Sequence, residues 1–262
     1  MKIIVCIKQV PDTTEVTINP ETGTLMREGV PSIVNPFDLY AIEEGLRIKE
    51  KIGGTITVVT MGPPQAKEAL LECISMGVDE AILISDKAFA GSDTWATSYT
   101  LSSAIKYLGG ADIIICGKQA IDGDTAQVGP GIAEWINIPF IAFVKKIEEI
   151  TETYVRVERM METGYDIIEV PMPCVITVVK EINEPRVPSI RGKMRAKKYE
   201  PKLLTSNDFP VDKSKLGLDA SPTHVIKVFT PKLRKAGQKF EGPPEEVVEK
   251  LYNALKEAKI IQ

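Results

Sequence analysis

The first half of the chain alternates short apolar runs, rich in β-branched residues, with longer amphipathic runs. The apolar runs cover residues 2–8, 55–61, 80–85, 113–116 and 140–144, and the helical patterns cover residues 36–52, 64–76, 93–108 and 125–136. Strands that alternate with helices of this length form parallel β-α-β units. The alternation therefore predicts an α/β fold with a doubly wound, mostly parallel sheet and helices on both faces.

The pattern changes after residue 150. Residues 153–159 and 165–170 alternate apolar and polar side chains around a turn at Gly164, which predicts an antiparallel extension of the sheet. Residues 203–244 are polar and irregular, and residues 245–261 resume a helical pattern. We expect an α/β domain at 1–202 and an extended arm at 203–262. Its terminal helix has no partner within the arm and should dock on another subunit.

Composition excludes several classes of function. The net charge of −4 gives no general attraction to a phosphate backbone, so nucleic acid is not an expected partner despite a basic run at residues 191–202. That run is either a docking surface for an acidic partner or a solvated face. No apolar stretch approaches the roughly 20 residues that a membrane span needs, and residues 1–8 lack a cleavage site, so we expect a cytoplasmic protein.

Cysteine and histidine usage limits the possible chemistry further. Four widely separated cysteines, with no C-x-x-C pair, predict buried thiols, with a metal site or disulfide as the alternative. His224 is the only histidine, which removes the common zinc motifs and histidine-centred triads. We expect no catalytic acid or base and no metal site.

Three loops follow strands at the edge where open parallel sheets bind ligands. Their candidate residues are Lys8, Val10 and Asp12 in the first, Thr60, Met61 and Gly62 in the second, and residues 117–129 in the third. The third loop joins a strand to a helix, and small residues at 123, 125 and 126 let backbone N–H groups approach an anion. It is neither a P-loop nor a G-x-G-x-x-G fingerprint.

Two carboxylates in the third loop would repel a phosphate beside them. We expect Asp122 and Asp124 to cap the following helix or to accept from ribose hydroxyls, while Thr125 and nearby amides face the phosphate. A well-capped loop without a ligand is the alternative.

The helix at residues 93–108 offers a second candidate. Its first turn carries Asp93, Thr94 and Thr97, where free N–H groups would meet pyrophosphate or ribose. Trp95 and Tyr99 would form either a flavin wall or part of the core.

Several motifs resemble electron-transferring flavoprotein beta subunits. Residues 117–129 are similar to the family's nucleotide-binding loop. The order and spacing of its signature are matched by Val157-x-Arg159-x-x-Glu162-x-Gly164, Pro173, Asn183-Glu184-Pro185-Arg186 and Met194-Arg195-Ala196-Lys197-Lys198. Val10-Pro11-Asp12 and Asn35-Pro36-Phe37-Asp38 extend the resemblance over nearly the whole chain. Arg159 and Glu162 are expected to support the structure, with a surface salt bridge as the alternative.

The resemblance implies an adenine-nucleotide-binding, flavoprotein-like fold and a heterodimer whose alpha subunit carries a mobile FAD. Residues 92–98 and 123–130 resemble the bifurcating group, known from anaerobic metabolism, whose beta subunit binds a second FAD. This electron-transfer subunit would take electrons from NADH. It would pass one to ferredoxin and one, through the alpha-subunit FAD, to a flavin-dependent dehydrogenase of acyl-CoA or 2-hydroxy-acid type. A structural AMP is the alternative ligand, and a non-redox nucleotide sensor is a third hypothesis.

The resemblance also implies site residues. Cofactor contacts fall on Asn35, Asp38 and the strand-end and helix-start residues named above, including Gly117, Lys118, Gln119, Asp122, Gly123, Asp124, Thr125, Ala126, Gln127 and Val128. A partner dehydrogenase would dock on Pro188, Ser189, Ile190 and Arg191. Ile190, an apolar residue ringed by cations, is the expected anchor.

Overall fold

A computed structural model describes residues 1–12, 31–226 and 237–261. Its strands are β1 (Lys2–Cys6), β2 (Gln9–Pro11), β3 (Ser32–Val34), β4 (Thr55–Met61), β5 (Glu80–Ile84), β6 (Ile113–Gly117), β7 (Phe140–Ile150), β8 (Tyr154–Met161), β9 (Gly164–Pro171), β10 (Cys174–Val178) and β11 (Lys202–Leu204). Its α-helices are α1 (Pro36–Ile52), α2 (Lys67–Met76), α3 (Thr94–Tyr107), α4 (Val128–Ile136), α5 (Ile190–Ala196) and α6 (Pro244–Glu257).

Nine strands form one sheet in the order β11-β5-β4-β1-β6-β10-β7-β8-β9, and β2 pairs with β3 separately. From β1 the chain proceeds outward through β4 and β5, then crosses to β6 on the other side of β1. The order of strands therefore reverses between β1 and β6. At such a switch point the flanking loops diverge to opposite faces and open a crevice at the carboxyl edge of the sheet.

Strand β7 joins the two kinds of pairing. Its first residues run parallel to β10, with Ile141 opposite Ile176, and its later residues run antiparallel to β8, with Ile150 opposite Val155. Strands β8 and β9 complete the antiparallel extension. The doubly wound, mostly parallel sheet with an antiparallel extension is thus confirmed.

Apolar side chains fill both faces of the sheet. One cluster joins α1 and α2 to the sheet through residues such as Ile42 and Leu70. The other joins α3 and α4 through residues such as Ile105 and Ile132. The central strand residues Ile3, Ile4 and Ile115 are fully buried, as strands covered on both faces require.

The chain divides after Val228 into units Met1–Val228 and Phe229–Gln262, whereas the sequence pattern placed the boundary at residue 202. Residues 203–226 belong with the first unit because β11 pairs with β5. Leu204, Phe209 and Leu216 are also buried in the second cluster. The irregular composition gave no sign of this packing. In the second unit the structure describes α6, an amphipathic helix.

Local differences also have physical causes. Helix α4 begins at residue 128 rather than about 125. Asp124 and Ala126 take left-handed backbone angles that do not occur in an α-helix, so the helix starts only after them. Helix α5, which the basic composition concealed, is capped by Ser189, whose Oγ accepts from the amide of Gly192.

The four cysteines are buried free thiols. Among the described residues, no helix has the length and apolar character to cross a membrane.

Candidate functional site

The crevice lies where β1 and β6 end side by side. Cys6 and Cys116 are partners in the parallel ladder, so the two strands stop at the same level. The chain continues from β1 through Lys8, and from β6 into residues 118–127, the loop that leads to α4. Two of the three predicted loops therefore flank the switch point directly.

A buried carboxylate ties these two strand ends together. Asp38, in the first turn of α1, accepts a hydrogen bond from the amide of Lys8 at 2.7 Å and another from the amide of Gly117 at 3.2 Å. Burial raises its pKa to about 7, although both hydrogen bonds favour the ionised form. Asp38 therefore fixes the spacing of the two strand ends.

Gly117 makes this close approach possible. A Cβ atom at this position would lie 2.3 Å from Asp38 Oδ1 and 2.6 Å from the carbonyl carbon of Phe37. The Asp38 carboxylate is held by its hydrogen bonds and the Phe37 carbon belongs to the backbone, so neither can move aside easily. The position therefore requires glycine for packing, independently of any ligand.

Asn35 holds the β6–α4 loop from beneath. Its Nδ2 donates to the carbonyl of Gln119 at 2.9 Å, and its Oδ1 accepts from the amide of Ile121 at 3.1 Å. The side chain is buried. The cofactor contacts that the resemblance implies for Asn35 and Asp38 stay a prediction, and in the structure both side chains are bonded within the protein and support the loops.

The loop itself stores backbone strain. Asp124 has φ +54° and Ala126 has φ +55°, backbone angles that residues other than glycine rarely adopt. The amide of Asp124 donates to the carbonyl of Ala120 at 2.8 Å, and Gln119 donates to the Asp124 carboxylate. Gly123 is exposed, and a Cβ there would meet no atom within 4 Å. Strained, well-bonded loops of this kind are common at ligand sites.

The expected helix-capping role of the two loop carboxylates is wrong. Helix α4 has Gln127 at its N-cap and no side-chain cap. Asp122 instead pairs with Lys8, whose Nζ lies 2.6 Å from its Oδ1. An ion pair so exposed adds little stability, but it neutralises a carboxylate that would otherwise repel an anion. The first turn of α4 is left without a side-chain cap, facing this loop.

The start of α3 differs from expectation. The carboxylate of Asp93 accepts from the amides of Trp95 and Ala96 at 3.0 and 3.1 Å. The amide of Thr97 donates to the Asp93 carbonyl. Three of the N–H groups at this turn, those of Trp95, Ala96 and Thr97, are therefore already occupied within the protein. Thr94 remains close to the crevice, with its Oγ1 3.4 Å from Oγ1 of Thr125.

Other candidate residues occupy several environments. The Thr60 hydroxyl is buried and donates to the carbonyl of Ile7 at 2.8 Å, and the Gly62 amide donates to Ile84. Met61 is half-buried at the end of β4, Val10 is buried and Asp12 is exposed. Lys118 lies over the Phe143 ring at 5.4 Å. Gln127 is exposed, and Val128 packs against the core beneath the crevice.

The aromatic residues of α3 form a cluster with α4. Trp95 stacks on Tyr99, with ring centroids 6.5 Å apart, and Trp135 meets both rings edge-on. Lys215 lies 5.3 Å above the rings of Tyr99 and Trp135. These rings therefore join α3, α4 and the segment after β11.

The predicted docking residues lie on an exposed surface at the start of α5. Ile190 is 85% exposed, Ser189 and Arg191 are also exposed, and Pro188 is half-buried. The docking loop predicted from the sequence also contains Val187, which is 85% exposed, and sequence reasoning missed one more exposed apolar residue nearby, Met194 (54%). The four-residue spacing of Ile190 and Met194 was the available signal, since it places them on one helix face. We call Val187, Ile190 and Met194 the apolar patch.

Three signature residues lie in different environments. In the basic run, Arg195 is not a free cation, because its guanidinium donates to the carbonyls of Val78 and Asp79 at 2.8 and 2.7 Å. Arg159 keeps its Nε buried without a hydrogen-bond partner within the described part of the chain. Glu162 is exposed.

Comparison with known proteins identifies the family. A model described as the electron transfer flavoprotein domain matches residues 22–208. An electron transfer flavoprotein subunit beta from Thermoanaerobacterium thermosaccharolyticum is 53% identical over all 262 residues and the whole of both chains. The chain belongs to the electron transfer flavoprotein beta-subunit family.

Two further relatives of the chain carry other names. The caffeyl-CoA reductase-Etf complex subunit CarD of Acetobacterium woodii is 49% identical over 263 residues, covering the whole of both chains. Protein FixA of Azotobacter vinelandii is 48% identical over 240 residues, covering 89% of this chain and 85% of the relative.

Gly117 provides a stability test. Gly117→Ala should lower the free energy of unfolding by about 2 kcal/mol or more, because the new methyl overlaps Asp38 and Phe37. Gly123→Ala is the matched control and should change stability by less than about 0.5 kcal/mol, since its Cβ meets open space. Urea denaturation measures both. Equal stability of the two variants would contradict the proposed packing at Gly117.

Asp38 provides a pH test. Its pKa, about 7 in the folded state against 3.8 ordinarily, means that the folded protein retains a proton there that the unfolded chain has lost. The stabilisation that this proton gives to the folded state is complete below the pKa of Asp38 in the unfolded chain, and it declines as the pH rises toward 7. Relative to Asp38→Asn, the wild type should lose about 1.4 kcal/mol of stability per pH unit between about pH 5 and about pH 6.5. Parallel curves of unfolding free energy against pH would contradict the raised pKa.

Proposed function

We propose that this chain is the FAD-binding beta subunit of a bifurcating electron transfer flavoprotein. It would take electrons from NADH and pass one to ferredoxin. The other would pass through the alpha-subunit FAD to a flavin dehydrogenase. Family membership supports electron transfer. The observation that carries a nucleotide site is the strained loop at residues 118–127, which leads into the uncapped start of α4 at the switch point.

We infer that the crevice would accept the pyrophosphate and ribose of an adenine nucleotide. Open space around Gly123 lets the backbone come close to a phosphate, and no side chain caps the amides of Val128 and Gly129 in the first turn of α4. Pro130 carries no N–H, and the Gly131 amide donates to the carbonyl of Gln127. The hydroxyls of Thr94 and Thr125 are positioned for further hydrogen bonds. Flavin, when bound, supplies reversible hydride and single-electron transfer.

The protein's own contribution is binding and electrostatics. Lys8 neutralises Asp122 at the mouth of the crevice, while Asn35 and Asp38 keep the two loops at a fixed spacing. We assign no side chain as a proton donor or acceptor in the reaction. This division of labour is usual where the cofactor carries the redox chemistry.

AMP is the alternative ligand of the same crevice. It offers the same adenosine and phosphate groups, and the beta subunit would then serve as a structural support. A non-redox nucleotide sensor has less support, because the family match extends over residues 22–208 and beyond the nucleotide loop.

Two surfaces suggest the protein partners. The Acetobacterium woodii relative is named as part of a caffeyl-CoA reductase complex, which favours an acyl-CoA type of dehydrogenase over a 2-hydroxy-acid type for the apolar patch. On α6, Val248, Leu251 and Tyr252 are exposed at helical spacing. We propose that this helix docks on the alpha subunit, as part of the arm expected from the sequence.

Flavin content tests the proposed cofactor. The purified heterodimer should contain two flavins by ultraviolet-visible absorption, and Gly123→Val should reduce this to one, because its side chain would fill the space that the pyrophosphate needs. Gly237→Val is the matched control, since Gly237 also faces open space. One flavin plus AMP in the wild-type heterodimer would mean that AMP, and not FAD, is the ligand of the crevice. Two flavins retained in Gly123→Val would refute the loop assignment.

Ile190 tests the docking surface. Ile190→Ala should raise the KM for the partner acyl-CoA dehydrogenase about fivefold or more, the equivalent of about 1 kcal/mol at a hot spot. NADH oxidation by an artificial dye and flavin content should be unchanged. Ile167→Ala, at another exposed isoleucine, is the control. Equal losses in the dye and dehydrogenase assays would mean that Ile190 supports the fold.

A further inference from the structure

Arg186 is held between two glutamates of α1. Its Nε donates to Glu43 Oε2 at 2.7 Å, and its Nη1 donates to Glu50 Oε1 at 2.6 Å. Nη2 donates to both carboxylates at 3.1 Å, and the Arg186 amide donates to Glu43 at 3.1 Å. This planar fork fixes the orientation of the guanidinium and of the backbone that carries it.

Glu43 is an unusual partner because its side chain is only 4% exposed. Burial opposes its ionisation, but the hydrogen bonds from Arg186 and Arg47 outweigh burial and keep its pKa below the ordinary value. A second contact strengthens the attachment, since Asn183 donates to Glu44 Oε2 at 3.0 Å. Residues 183–186 are therefore fastened along α1.

The chain is fastened again at Gly192 and Arg195, which flank Met194 of the apolar patch, this time to α2 and the residues just beyond it. A Cβ on Gly192 would lie 2.0 Å from the carbonyl oxygen of Ser75, so the two backbones are in direct contact. Arg195 then donates to the carbonyls of Val78 and Asp79 just beyond α2. The short stretch 187–191 is held at both ends on different helices.

The side chains between these attachments point away from the protein. Val187 and Ile190 are each 85% exposed, although apolar residues of this size are usually buried. A free loop would fold such side chains against its own domain or sample many positions. Attachment at both ends limits that freedom and reduces the entropy lost when a partner binds.

We propose that Arg186, through its two carboxylate partners, is the positioning residue that presents the apolar patch to the dehydrogenase. This inference rests on the proposed docking function. Arg191, Lys193 and Lys197 lie next to Ile190 and Met194 or one helical turn from them along the chain, and all three are exposed. The partner surface should therefore be an apolar pocket with an acidic rim.

The first experiment needs no dehydrogenase. In the heterodimer, Arg186→Gln should speed amide hydrogen exchange in a peptide covering residues 187–193 by about tenfold, because the segment loses one attachment. Glu50→Gln, a milder variant at an exposed glutamate that leaves Glu43 paired, should have a smaller effect in the same direction. Arg156→Gln is the matched control, since Arg156 also bridges two glutamates, Glu149 and Glu169, but on the antiparallel strands.

The second experiment separates positioning from folding. Arg186→Gln should raise KM for the acyl-CoA dehydrogenase about fivefold while kcat, flavin content and dye reduction remain unchanged. If Arg186 acts through the patch, the double variant Arg186→Gln/Ile190→Ala should be no worse than Ile190→Ala alone. Arg186→Lys keeps the charge but cannot bridge both carboxylates, so it should restore only part of the affinity.

The outcomes distinguish the two proposals. Unchanged hydrogen exchange in Arg186→Gln, or additive KM effects in the double variant, would overturn the positioning role while leaving docking intact. If Ile190→Ala has no effect on KM although Arg186→Gln accelerates exchange, the docking function fails and the positioning role for it fails as well. A fall in flavin content or dye reduction in both Arg186→Gln and Glu50→Gln would show a general structural role, which also overturns the proposal.

Discussion

The buried carboxylate of Asp38 determines the geometry of the crevice. It accepts from backbone amides at the ends of β1 and β6, the two strands between which the strand order reverses. The Lys8 amide lies just beyond the end of β1 and the Gly117 amide at the last residue of β6, so the side chain adds hydrogen bonds at the point where the two strands end. The open edge of the sheet becomes a crevice of defined width because this one group holds both sides, and Gly117 leaves the room that it needs.

Helix α1 extends this organisation to the opposite end of the domain. Its first turn supports both loops of the crevice, and its later turns hold residues 183–186 through Glu43, Glu44 and Glu50. One face of the helix also packs in the core through Ile42 and Leu46. A single secondary-structure element thus contributes to the core, to the candidate nucleotide site and to the candidate docking surface.

Much of the fold could be predicted from the sequence, because strand and helix periodicity records burial directly. The position of the β6–α4 loop at the switch point could also be predicted, since topology fixes the edge where parallel strands end. The functions of individual polar residues were harder to predict. Asp93 and Asn35 have the residue types of both ligand contacts and structural caps, and only their partners distinguish the two roles.

The structure of the less regular part of the chain was harder to predict from the sequence. Residues 203–226 have little periodicity, yet β11 and Phe209 pack against the sheet, because short apolar anchors suffice when ordered loops join them. Helix α5 was concealed by a run of cations that suggested a uniform basic surface. Arg195 in that run is bonded to backbone carbonyls, a role that charge counting cannot detect.

The length of α1 carries one more consequence. Glu50 lies twelve positions after Asp38, and an α-helix rises about 1.5 Å per residue, which gives a span of about 18 Å. A continuous helix packed in a core does not shorten, so α1 keeps a fixed distance between the crevice and the segment that Arg186 holds. On the proposed function, a partner bound at that segment stays at a constant distance from the nucleotide. Any approach between redox centres must then come from movement of another subunit.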